Sequence, residues 1–103
     1  MATEAPTAVP DVGTEERTHL APRWKVILLD DDVTTFEFVI HLLVSLFHKE
    51  MEEAIRLTYE VHDTGAALIT VTNVERAELY VEQVRSMARP KGFPLTATIE
   101  PAE

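Results

Sequence analysis

The chain has 103 residues, enough for one hydrophobic core and too few for two. An apolar fraction of 46% points to a folded domain, and the lack of cysteine excludes disulfides and thiolate chemistry. A net charge of −9, from 9 Lys plus Arg against 18 Asp plus Glu, argues against a nucleic-acid partner and suits a cationic one, although acidity also serves solubility alone.

Residues 1–22 carry three prolines and no helical or strand period, which predicts a flexible N-terminal tail followed by one domain over residues 23–103. The tail has no basic n-region or apolar h-region, and no apolar run approaches the roughly 18 residues of a membrane span. A cytoplasmic protein with no membrane partner is expected. Residues 23–29 (RWKVILL) read as a strand that ends abruptly in Asp30, Asp31 and Asp32. Thr34 with Glu37 has the spacing of a capping box and predicts a helix over about 35–48, with Phe36, Ile40, Leu43 and Phe47 on one face. A second helix is expected over 51–63, stopped by Gly65, and residues 66–71 (AALITV) read as a second strand. Thr72 with Glu75 repeats the capping spacing and predicts a third helix to about Arg89, with Ala77, Val81, Val84 and Ala88 facing the core. Residues 95–100 (LTATIE) alternate like a half-buried strand. The predicted order is β-α-α-β-α-β, an α+β fold with three helices packed on a three-stranded, mainly antiparallel sheet.

Three adjacent carboxylates repel and tend to raise one another's pKa, so the Asp30-Asp31-Asp32 triplet invites a positive partner. The alternative is a solvated loop that assists the following helix N-terminus electrostatically. Thr58, Val61 and His62 are three and four residues apart and share a helix face. His41 and His48 stand seven apart without the i, i+4 pairing of a helical metal site, so they read as surface or boundary residues. The two serines, Ser45 and Ser86, fall inside predicted helices, and the three glycines form no phosphate loop. No catalytic residue, metal or cofactor is therefore assigned.

The stretch W-K-V-I-L-L-D-D-D-V-T-T-F-E-F-V-I, the later E-V-H and the terminal F-P-L-T-A-T-I-E together resemble the ClpS family of Clp protease adaptors, across nearly all of residues 23–100. The resemblance implies a non-enzymatic adaptor. It would bind the free α-amino group and bulky apolar first side chain of N-degron substrates and deliver them to the N-domain of a ClpA-type AAA+ unfoldase. The positions matching the family's amine-binding residues are Asp30, Asp31, Asp32 and His62. Those matching its side-chain pocket are Thr34, Phe36, Val39, Thr58, Val61 and Leu95, and those matching its unfoldase-docking surface are Glu75 and Tyr80. The chain departs from the family pattern at Asp30, usually Asn, at Phe36 and Thr58, often Met, and at Tyr80, a Lys in well-known members. A second reading is a diverged ClpS-like module with a different N-terminal residue or cationic ligand, and a third is a metal-dependent enzyme built on the acidic triplet and a histidine.

Overall fold

The computed structural model describes residues 21–103, so the expected tail lies outside the described residues except for Ala21 and Pro22. The element order is β1 (Trp24–Leu29), α1 (Phe36–Ser45), α2 (Met51–Thr64), β2 (Ala66–Thr72), α3 (Val74–Ala88), a 3-10 turn (Arg89–Lys91) and β3 (Thr96–Pro101). The strands form one sheet in the order β2-β1-β3, with β1 in the middle and antiparallel to both neighbours. The expected β-α-α-β-α-β architecture is present, with entirely antiparallel pairing.

The core follows from the apolar periods. Val26 and Leu28 alternate inward from β1 and are fully buried. They meet Phe38, Leu42 and Leu43 of α1, Leu57 and Val61 of α2, and Ala77, Val84 and Ala88 of α3 in a single cluster. Val81, expected on the core face of α3, is half-buried at its edge. Between Val26 and Ile27 the β1–β2 register shifts past Ile69, a bulge that keeps Ala67 and Ile69 buried while Leu68 faces out.

Helix limits differ from expectation in three places, each for a local reason. The N-cap of α1 is Thr35, not Thr34, and its hydroxyl accepts from the Phe38 N–H at 3.2 Å. Thr34 is unavailable because its own hydroxyl donates to a carboxylate in the preceding loop. At its other end α1 stops at Ser45, short of the expected His48, because His48 takes a left-handed conformation (φ 60°) that turns the chain toward α2. Asn73, not Thr72, caps α3 and accepts from the Arg76 N–H at 2.8 Å. Asparagine caps as well as threonine does, so two adjacent candidates leave the starting point open in the sequence.

The register positions the functional loop. Leu29, the last residue of β1, pairs with Ala66 at the start of β2 and with Thr96 at the start of β3. The exit of β1 therefore lies beside the end of α2 on one side and the approach to β3 on the other. Gly65 ends α2 in the left-handed region (φ 92°), where glycine carries no Cβ penalty, and its carbonyl accepts the Asp30 N–H at 3.0 Å.

Candidate functional site

Asp31 organises the loop between β1 and α1. Its Oδ1 accepts from the Val33 N–H at 2.8 Å and the Thr34 N–H at 2.7 Å, and its Oδ2 accepts from the Thr34 hydroxyl at 2.7 Å. A carboxylate two residues ahead of free N–H groups forms such a turn because it replaces backbone acceptors that an irregular segment lacks. Burial raises the pKa of Asp31, but the Thr34 N–H, the Thr34 hydroxyl, the Val33 N–H and the Arg89 charge outweigh it. Together they hold the carboxyl below its ordinary value of 3.8. The expected upward push from neighbouring carboxylates is thus overturned for Asp31, since local donors win. Among the described residues, the carboxylates of Asp30 and Asp32 accept no hydrogen bond, and both residues are exposed.

Beneath this loop lies a cavity of about 220 Å³. Asp30, Asp31, Asp32 and Thr34 line it from the loop, Phe36 and Val39 from α1, Thr58, Val61 and His62 from α2, and Leu95 from the segment before β3. All ten residues expected to hold the amine and the first side chain therefore surround one space. Its volume lies below the roughly 300–1,000 Å³ of ordinary small-molecule pockets, which suits a single side chain.

The floor is apolar. Val39, Val61 and Leu95 are buried, and Thr58 is the one buried polar residue among those described. The Thr58 hydroxyl donates to the Ala54 carbonyl at 2.7 Å, one turn back along α2, so its hydrogen-bonding capacity is directed into the helix. The helical edge of the cavity is aromatic. Phe36, 36% exposed, meets the His62 ring edge-on at 5.1 Å between centroids and the Tyr59 ring at 5.2 Å.

Two residues outside the expected set contribute. Tyr59 braces Phe36, and the signal for it was its place three residues before His62 on the same helix face. The Arg89 Nη1 donates to the carbonyls of Phe93 at 2.9 Å and Leu95 at 2.8 Å, and no spacing in the sequence announces that clamp.

The expected docking residues lie elsewhere, on α3. Glu75 is exposed in its first turn and shares a shallow surface with Asn73, Arg76 and Leu79. Tyr80 is half-buried and stacks on Phe47 at 4.5 Å and 28°, so one ring face is already occupied inside the protein. His41 and His48 are both exposed, and neither lines the cavity. Among the described residues, no group of three or more His, Cys, Asp or Glu is arranged to hold a metal ion, and no helix is long and apolar enough to cross a membrane.

Comparison with known proteins converges on one family. Residues 19–98 match the family described as ATP-dependent Clp protease adaptor protein ClpS. The ATP-dependent Clp protease adapter protein ClpS of Nautilia profundicola is 46% identical over 77 residues, 75% of this chain and 79% of that one. The protein of the same name from Rhodospirillum centenum is 38% identical over 97 residues, 94% of this chain and 90% of that one. Among solved structures, Agrobacterium tumefaciens ClpS2 bound to L-phenylalaninamide superposes with a TM-score of 0.75 at 32% identity, covering 78% of this chain and 96% of that one.

Proposed function

The chain belongs to the ClpS family of Clp protease adaptors, and on that premise we propose that its cavity receives the first residue of an N-degron substrate. The protein is then a non-catalytic adaptor that hands the captured chain to a ClpA-type unfoldase in the cytoplasm. One observation carries the reading: a single cavity joins an acidic rim to an apolar floor at the scale of one side chain.

The chemistry follows from that pairing. An α-ammonium group offers three donors and one positive charge, and Asp30, Asp32 and His62 offer acceptors at the rim. Asp31 supplies negative charge while its oxygens hold the loop. Charge-assisted hydrogen bonds of this kind contribute about 1.5–3 kcal/mol each. A bulky apolar side chain displaces water from the floor formed by Val39, Thr58, Val61 and Leu95. The ligand of the Agrobacterium relative, L-phenylalaninamide, combines a free α-amine with an aromatic side chain, which supports the same division of labour here. Docking of the unfoldase through Glu75 and the adjoining surface of α3 belongs to this proposal.

The test is a panel of fluorescent peptides differing only in residue 1, each with a free and an acetylated N-terminus, followed by degradation assays with a ClpA-type protease. Binding that requires the free amine and a large apolar first residue supports the adaptor reading. Indifference to acetylation replaces it with a diverged protein-binding module, and a requirement for added divalent metal replaces it with the metal-dependent alternative.

A further inference from the structure

The connection from α3 to β3 contains a side chain that holds the backbone of one cavity wall. Arg89 follows the last residue of α3, and the chain then turns through Pro90 and Gly92, the latter left-handed at φ 78°. The Gly92 N–H donates to the Arg89 carbonyl at 2.9 Å and the Phe93 N–H to the Ala88 carbonyl at 3.1 Å, the paired bonds of a Schellman ending. This ending satisfies the helix but not the residues after it. Phe93, Pro94 and Leu95 precede β3, whose pairing with β1 begins at Thr96 and Leu29, so the carbonyls on either side of Pro94 gain nothing from that ladder. The Arg89 Nη1 donates to both of them, and Leu95 is a fully buried wall of the cavity. The charge of the same guanidinium is also the smallest of the influences that hold the Asp31 carboxyl below its ordinary value.

We propose that Arg89 is a positioning residue for ligand capture, fixing Leu95 in the cavity wall through the two carbonyls. The inference rests on the adaptor reading above. Arg89 does not line the cavity and touches no ligand directly. Its effect is on where Leu95 sits and on the charge state of Asp31. The other titratable groups that line the cavity with Asp31 are Asp30 and Asp32 in its own loop and His62 from α2, and the permanent positive charge of Arg89 also favours the ionised form of Asp31.

The experiment compares the full chain with Arg89→Met, which keeps the length and removes donors and charge, and with Arg89→Lys, which keeps both in simpler form. Affinity for a free-amine Leu-starting peptide is measured by fluorescence anisotropy from pH 2.5 to 7.5, at a temperature where circular dichroism shows all three proteins folded across that range. Arg89→Met should bind roughly tenfold more weakly at pH 7, as expected for unpaired carbonyls and a lost counter-charge. Its acidic loss of binding should also begin at higher pH, because removing a nearby cation makes Asp31 easier to protonate. Arg89→Lys should recover most of the affinity and return the acidic limb toward its original place. A merely structural arginine would lower the melting temperature without moving that limb. Equal affinity and equal pH profile for Arg89→Met and the unsubstituted protein overturn the inference alone, whereas failure of the unsubstituted protein to bind overturns it together with the adaptor reading.

Discussion

The acidic rim and the apolar floor of the cavity are held by different forces. The rim is a six-residue loop folded around one carboxylate, with three donors converging on Asp31. The floor is a seam between two helices and one strand approach, in which Val39, Val61 and Leu95 are buried by packing and the polar atom of Thr58 is directed into its own helix. Hydrogen bonds are directional and fail when one partner is removed, whereas packing tolerates exchange of similar volumes and fails by degrees. Chemical identity of the ligand end should therefore depend sharply on single atoms of the rim. Preference among first side chains should drift smoothly with the volume of the floor.

The largest expected effect is at Asp31. Asp31→Ala strands two backbone N–H groups and the Thr34 hydroxyl and frees the loop, so peptide affinity should fall by about a hundredfold while the sheet and helices persist. Asp31→Asn keeps an acceptor without the charge and should fall between that variant and the parent. The same carboxyl links folding to acid. Its folded pKa is depressed below 3.8, so its contribution to stability is present above that value and is lost as pH falls through the lower folded pKa. Denaturant melts of the parent should show a stability loss below about pH 3.8 that is reduced in Asp31→Asn. Parallel acid profiles of the two proteins would mean that the loop bonds do not persist in solution.

A smaller and more selective effect is expected on the floor. Thr58→Met fills part of a cavity of about 220 Å³ and should penalise a Trp-starting peptide roughly tenfold more than a Leu-starting one, with dependence on the free amine unchanged. A uniform loss across first residues would show that position 58 sets the shape of the rim as well. Smaller again is the effect of His62→Ala, which removes one rim acceptor and one edge contact to Phe36 and should weaken binding by roughly fivefold. His41→Ala should leave binding unchanged, since His41 lines a separate groove with Glu37 and Lys91 and does not line the cavity. Equal losses in the two histidine variants would show that the effect does not depend on the position of His62.

The rim and floor were also unequally legible in the sequence. Helical periods placed Phe36 with Val39 and Thr58 with Val61 and His62, and the resemblance to the adaptor family joined these to Leu95 and the triplet. All ten surround the cavity because the register of β1 with β2 and β3 brings their elements together. What escaped was the chemistry of individual polar atoms. Thr34 and Thr35 are identical as residue types, and only the folded loop decides that one donates to Asp31 while the other caps α1. Asn73 displaced Thr72 as a cap for the same reason. Arg89 read as the end of a helix, because the two carbonyls that it satisfies become neighbours only once Gly92 has turned the chain. Apolar periodicity reports which face is buried, but it carries no information about which of several adjacent hydroxyls meets a given acceptor.

The smallest expected effect among the cavity residues is at Asp30, although it flanks the organising carboxylate. Its backbone is fixed by the bond from its N–H to the Gly65 carbonyl, and that bond is independent of the side chain. The carboxylate is exposed and, among the described residues, accepts nothing, so replacing it leaves no stranded partner inside the protein. Asp30→Asn removes one negative charge from the rim and supplies a donor, the arrangement usual in the family. The lost attraction is screened beyond about 8 Å at physiological ionic strength, and exposed charge pairs contribute about 0–1 kcal/mol. Relief of repulsion with Asp31 and Asp32 offsets part of that loss. Affinity for a Leu-starting peptide should therefore change by no more than about threefold at 0.15 M salt, and its salt dependence should become shallower. Titrations of both proteins at low and high salt measure the two quantities together. A loss of hundredfold, matching Asp31→Ala, would show that the rim acts as one indivisible anionic unit, and the contrast drawn between an organising carboxylate and an exposed one would fail.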